Sequence, residues 1–303
     1  MTMIIADATV GVAETSPATA RGVANRNRRG PLDGAGLLIT VATILLALFW
    51  IFPIYWALVT SFKPEEDVVQ PGIRLWPEHF TFENYSFVLV NTKIGLWYLN
   101  SLVTSGGVTI IVVLMSAMAA YAISQLEFPG RRVLWWMILA SFMVPIPALI
   151  INHYVLMNQL GLINTWGGVI LPQLIAPVTV MIYKQFFDGV PKDFREAAII
   201  DGATEFQLLW RLYLPMNMGI TTALAIITFI GAWNNFLWPF LVISTEPMMN
   251  ITVGIYQVTD AFGVKYARWL ATATLAALPV AALYLIFQRQ VTQAIMLTAG
   301  IKG

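Results

Sequence analysis

The 303-residue chain is 58% hydrophobic and only 11% charged, against about 25% charged in soluble domains, so its solvent is a lipid bilayer. A net charge of +1, with basic residues scattered rather than striped along one helix, argues against nucleic-acid binding. There is no cysteine for a disulfide, thiol nucleophile or metal site, and His79 and His153 lack ligand spacing, so no metal-ligating or catalytic residue is assigned.

Residues 1–33 are rich in Ala, Thr, Gly and Asn and read as a disordered cytoplasmic tail carrying Arg21, Arg26, Arg28 and Arg29. Residues 34–62 then hold no charge, longer than a signal peptide's apolar region and enough for one span of about 20 residues. Four further charge-free stretches follow at 94–126, 133–183, 212–245 and 269–288. As one helix the stretch 133–183 would run about 77 Å, over twice the hydrocarbon core, so it must fold back. Its turn belongs between Asn158 and Gly168, where amides and glycines gather. The expectation is an all-α membrane protein over 34–303 with six transmembrane helices, centred near 48, 110, 143, 177, 228 and 279. With both termini cytoplasmic, twelve Lys and Arg fall inside and five outside, which selects that orientation.

The extracytoplasmic loops are then 61–93, with an amphipathic piece from Phe82 to Leu89, and 245–267, with Tyr256, Asp260 and Phe262. Each is either a small cap or a solvated connector. Inside lies the polar loop 191–215. Pro191 suits a helix start, and Lys192 to Ile200 reads as one short amphipathic helix that Gly202 ends. Thr204 with Gln207 is a capping-box pair opening a second short helix, which Pro215 separates from the next span. Small residues at 197, 198 and 202 allow another backbone to approach, with Arg195, Glu196 and Asp201 at the rim. A plain solvated linker is the alternative at this point.

Glu196-Ala197-Ala198, three residues, Gly202, nine residues, then Leu212-Tyr213-Leu214-Pro215 resembles the docking loop of permease subunits in binding-protein-dependent ABC importers. The departure is Leu212, where the family more often has Ile. Trp233-Asn234-Asn235-Phe236-Leu237-Trp238-Pro239 is similar to a segment of sugar-importing members, the second permease of maltose-type systems. So is the end from Gln288 to Gly303, apart from Val291-Thr292-Gln293. The resemblance implies the type I importer permease fold, with five core helices and a first helix wrapping the partner permease. It also implies a bacterial inner-membrane location and an assembly of a second homologous permease, an ATPase dimer and an extracytoplasmic solute-binding protein. The coupling residues it marks are Arg195, Glu196, Ala197, Ala198, Asp201, Gly202, Leu214 and Pro215. No cofactor belongs to this chain; ATP and magnesium would sit on the ATPase.

No Gly-x4-Gly-Lys-Ser/Thr phosphate loop occurs, and no Lys, Arg, Asp or Glu falls within the charge-free stretches, where ion-coupled carriers keep their working groups. That counts against the alternative, an ion-coupled secondary solute carrier, and no constellation suits an intramembrane enzyme. The interior instead holds amides among aromatics: Asn100, Asn152, Gln173, Trp233, Asn234, Asn235 and Trp238. Amides bond hydroxyls in either direction and ring faces pack on sugars, so a neutral sugar-like substrate fits such a path. The same groups could equally join helices by hydrogen bonds of about 0.6–2 kcal/mol. Pro145, Pro147, Pro172 and Pro177 imply kinks.

Overall fold

The structure, a computed structural model, describes residues 34–72, 74–258 and 265–298, and every regular element among them is helical. The expected tail over 1–33, Asp260, Phe262 and the chain from Ala299 lie outside those residues. The chain divides at Pro53 into two compact units, 1–53 and 54–303. In the first, the described residues form most of α1 (Gly34–Ser61), whose Leu38, Phe49 and Trp50 are exposed. Thr40 and Thr43 turn their hydroxyls onto carbonyls four residues back, 2.8 Å each, so neither carries an unmet donor into hydrocarbon.

The second unit begins with two short helices, α2 (Glu65–Val68) and α3 (Glu83–Asn91), followed by the long α4 (Ile94–Gln125). Next come α5 (Arg131–Ser141), α6 (Ile150–Gln159), α7 (Trp166–Ile170) and α8 (Pro177–Asp188). The polar connection holds α9 (Lys192–Ile200), α10 (Glu205–Leu208) and α11 (Leu214–Met216). The chain closes with α12 (Met218–Trp233), α13 (Leu237–Val242), α14 (Ile251–Gly254) and α15 (Tyr266–Thr298). Three helices, α1, α4 and α15, can cross a membrane unbroken, and three bent pairs supply the remaining spans, giving the six expected.

The expected prolines mark two of the bends. Arg131–Ser141 and Ile146–Gln159 meet at 95° across Pro145, and Trp166–Leu174 and Pro177–Asp188 at 52° before Pro177. Gly161 and Asn164, with φ of 69° and 60°, make the hairpin between them. The third bend, 84°, falls at Asn217, not at Pro215 as the sequence suggests. Pro215 follows closely on the π-type turn Leu209–Tyr213, and the helical path runs through it to Met216.

The helix α4 is the axis of the second unit. Its buried residues include the small or hydroxylated Ser101, Thr104, Ser105, Ser116, Ala117 and Ala120, which let neighbouring helices approach closely. Both segments read as outer loops are folded parts of the molecule. In the first, the expected amphipathic piece is α3, and Asn84 donates to the carbonyls of Ser61 (3.0 Å) and Lys63 (2.8 Å). Glu65 accepts from the backbone N–H groups of Tyr266 and Ala267, 2.9 Å each, at the start of α15. In the second, Asn250, Ile251 and Val253 are buried to within 2% exposure. This segment re-enters the bundle because α4 meets its polar groups. Ser101 accepts from the Ile251 N–H (2.8 Å), Thr104 from Asn250 (3.1 Å), and Asn100 donates to the carbonyls of Pro247 (2.8 Å) and Met249 (2.9 Å). Gly254 is required there: a Cβ would stand 2.3 Å from the ring of the fully buried Trp97.

Candidate coupling site and solute path

The segment 191–215 folds as a two-helix knob. Pro191 opens α9 with φ of −58°, and Asp193 in the first turn complements the positive end of the helix. Gly202 takes φ of 78°, so its N–H and that of Ala203 close onto the carbonyls of Ile199 and Ala198, 2.9 Å each. The Thr204–Gln207 capping box is fully made: the Gln207 N–H donates to Thr204 Oγ1 (3.3 Å) and the Thr204 N–H to Gln207 Oε1 (2.9 Å). After α10 the chain makes one π-type turn, Leu209–Tyr213, before α11.

One carboxylate ties this knob to the bundle. Glu205 accepts from Tyr121 Oη of α4 (2.5 Å) through one oxygen and from Arg195 of α9 (2.5 Å) through the other. Beneath it Tyr213 Oη donates to Gln125 (2.6 Å), and Leu208, Leu209, Tyr213 and Leu214 enter a core with Tyr121, Tyr183 and Phe187. The knob is therefore packed onto α4 and α8 rather than hung on a slack linker.

Of the expected coupling residues, Glu196, Ala197, Asp201, Gly202 and Pro215 are exposed, Ala198 is half-buried and Leu214 is buried. Arg195 faces inward onto Glu205 instead of offering its charge outward. The knob also exposes large apolar groups that sequence reasoning did not single out: Phe194, Phe206 at 67% exposure and Ile200 at 85%. Glu205 was also missed, since its role depends on Tyr121, 84 positions away.

The expected path residues divide by their bonding. Asn100 is buried and saturated, its amide oxygen accepting from Trp166 Nε1 (3.0 Å) in addition to its two donated bonds. Trp233 and Trp238 are buried and spend their indole N–H groups on the carbonyls of Ala276 (3.3 Å) and Gly168 (3.0 Å). These three belong to the frame. The helix breaks between Trp233 and Leu237 as expected, and there Asn235 donates to Gln173 (2.8 Å) and stays half-buried. Asn152 and Asn234 are exposed, with amides that make no bond among the described residues.

Six candidate spans with an exposed two-helix knob between two of them, Arg268 in the first turn of α15 being the one buried charge among the described residues of those spans, describe a multi-pass membrane subunit. Residues 113–296 match the family model for the binding-protein-dependent transport system inner membrane component, and the chain belongs to that family. It is a multi-pass ABC importer permease, not an ion-coupled secondary carrier. It is 30% identical to the arabinooligosaccharides transport system permease protein AraQ of Bacillus subtilis, over 88% of this chain and 96% of that one. It is 32% identical to the diacetylchitobiose uptake system permease protein NgcG of Streptomyces coelicolor, over 90% and 89%. It is 31% identical to the sn-glycerol-3-phosphate transport system permease protein UgpE of Yersinia pestis, over 87% and 95%. The fold matches a chain of a bacterial ABC transporter that imports the acidic polysaccharide alginate, with TM-score 0.76, 22% identity and coverage of 84% and 95%.

Proposed function

We propose that this chain is one of two homologous permeases in a bacterial inner-membrane importer of a sugar or sugar derivative, powered by a separate ATPase dimer that docks on the knob 191–215. The sugar class rests on the relatives that take up arabinooligosaccharides and diacetylchitobiose, with glycerol 3-phosphate the contrasting case. The observation that carries the docking is the pairing of exposed apolar side chains, Phe194, Ile200 and Phe206, with the internal tie Arg195–Glu205–Tyr121. An ATPase closing on ATP pushes on the knob, and Glu205 passes the displacement to α4. The bundle then exchanges inward-open for outward-open packing, with loaded binding protein biasing the same equilibrium from the other side. Both termini and the knob lie in the cytoplasm on this reading, which the Lys and Arg distribution supports. The chain itself carries out no covalent chemistry.

The test is Gly202→Asp in the assembled importer. The new side chain has open space but a backbone that disfavours it, and it adds charge where the partner must approach. The expected result is loss of ATPase copurification and of solute uptake with the permease still present in the membrane. Unchanged association and uptake would remove the knob from the mechanism.

A further inference from the structure

The break after α12, the re-entrant segment and the start of α15 converge on a cavity of about 360 Å³ lined by Phe236, Thr252, Ile255, Tyr256 and Trp269. That volume lies within the range of small-molecule sites, about 300–1,000 Å³. Its walls are aromatic: the Phe236 and Tyr256 rings lie 5.0 Å apart at 32°, and the Tyr256 and Trp269 rings 5.9 Å apart at 66°. Tyr256 is 53% exposed, so one ring face is open. The indole Nε1–H of Trp269 is buried without a hydrogen-bond partner, an expensive arrangement unless something else accepts from it. Thr252 Oγ1 donates to the Asn235 carbonyl (3.1 Å), which leaves its lone pairs free to accept, and Asn235 continues to Gln173. Among the described residues no Lys, Arg, Asp or Glu lines the cavity.

We infer that this cavity is a contact site for one uncharged sugar ring during translocation, an inference that rests on the sugar-import reading. The ring's apolar face packs on Tyr256 and Phe236, one hydroxyl accepts from Trp269 Nε1–H, and a hydroxyl donates to Thr252. An acyclic anionic solute such as glycerol 3-phosphate has neither a ring face to stack nor a cation here to meet its charge. The site is therefore also a filter for ring sugars over polyol phosphates.

The experiment measures uptake of arabinotriose, N,N′-diacetylchitobiose and glycerol 3-phosphate by the complete importer, with Trp269→Phe, Tyr256→Leu and Thr252→Val variants of this subunit. The expected result is uptake of a ring sugar whose half-saturation concentration rises about fivefold in Trp269→Phe, which keeps the ring and loses only the N–H. Membrane level and melting temperature of that variant stay as before. If ring-sugar uptake per molecule is unchanged in both aromatic variants, the site is overturned and sugar import stands. If uptake falls only in proportion to a loss of folded protein, the rings are interfacial packing and the site is again overturned. Uptake of glycerol 3-phosphate alone, or of none of the three, sinks the sugar reading and the site with it.

Discussion

Near its start, α4 offers Asn100, Ser101 and Thr104 to the re-entrant segment around α14; near its end, it offers Tyr121 and Gln125 to the knob. The two sets of contacts are about 31 Å apart along one helix axis at 1.5 Å per residue. The first is a buried seam in which each of these side chains bonds a group on the opposing segment, with bonds of 2.8–3.1 Å to four different residues. The second centres on the half-exposed Arg195–Glu205 pair, set beside the buried Tyr121 and Tyr213. Buried polar seams hold one geometry, because breaking any bond leaves an unsolvated partner behind. A half-exposed charge pair contributes little stability. The two ends of α4 thus differ in how much stability their polar contacts contribute.

Substitutions that separate stability from uptake test that contrast. Asn100→Leu removes three bonds and strands two carbonyls and the Trp166 N–H, at an expected cost of about 3 kcal/mol in detergent unfolding. Gly254→Val drives a side chain into the Trp97 ring and should cost about 2 kcal/mol, read by the same unfolding assay. Glu205→Gln should cost less than about 1 kcal/mol yet cut uptake by the assembled importer about tenfold, since it loses the charge pair with Arg195 and its single amide oxygen can accept from only one of Arg195 and Tyr121 in the present geometry. Melting of Glu205→Gln as severe as that of Asn100→Leu would dissolve the distinction between the two ends.

The smallest expected effect lies in the cap formed by residues 61–93. Burial, and then the like charge of Arg74, hold the Lys63 ammonium below the ordinary lysine value of 10.5. Its Nζ donates to the Arg74 carbonyl (2.6 Å) and sits 5.0 Å from the Trp56 ring centroid. A lysine whose pKa is lowered by folding binds its proton more readily when unfolded. Stability therefore rises with pH from the folded value up to 10.5 and is flat below it. Lys63→Met should remove that alkaline gain, measured by comparing melting temperatures across the same pH range.

The knob was legible in the sequence because its signals are local. Pro191, Gly202 and the Thr204–Gln207 pair act within a turn of where they stand, and α9 begins and ends where they place it. Lipid-sized apolar runs and their prolines likewise gave the spans and two of the bends. What stayed hidden depends on distance along the chain. Residues 246–254 look like a connector until Ser101 and Asn100, about 150 positions earlier, are seen to absorb their polar groups. Asn100 itself reads as a solute ligand for the same reason: composition marks an amide as polar but not as already occupied. Glu205 hides inside a capping pattern, where an acidic residue in a first helical turn needs no other explanation.

The π-type turn at Leu209–Tyr213 sets the phase of everything on its far side. A π turn is an α-helix holding one surplus residue, so the same residues wound as a regular α-helix would rotate the preceding helix by about 100°. Rotated so, Glu205 would face away from Tyr121 and the exposed apolar side chains of the knob would address a different quadrant. The winding of this stretch, more than its composition, determines where the knob points.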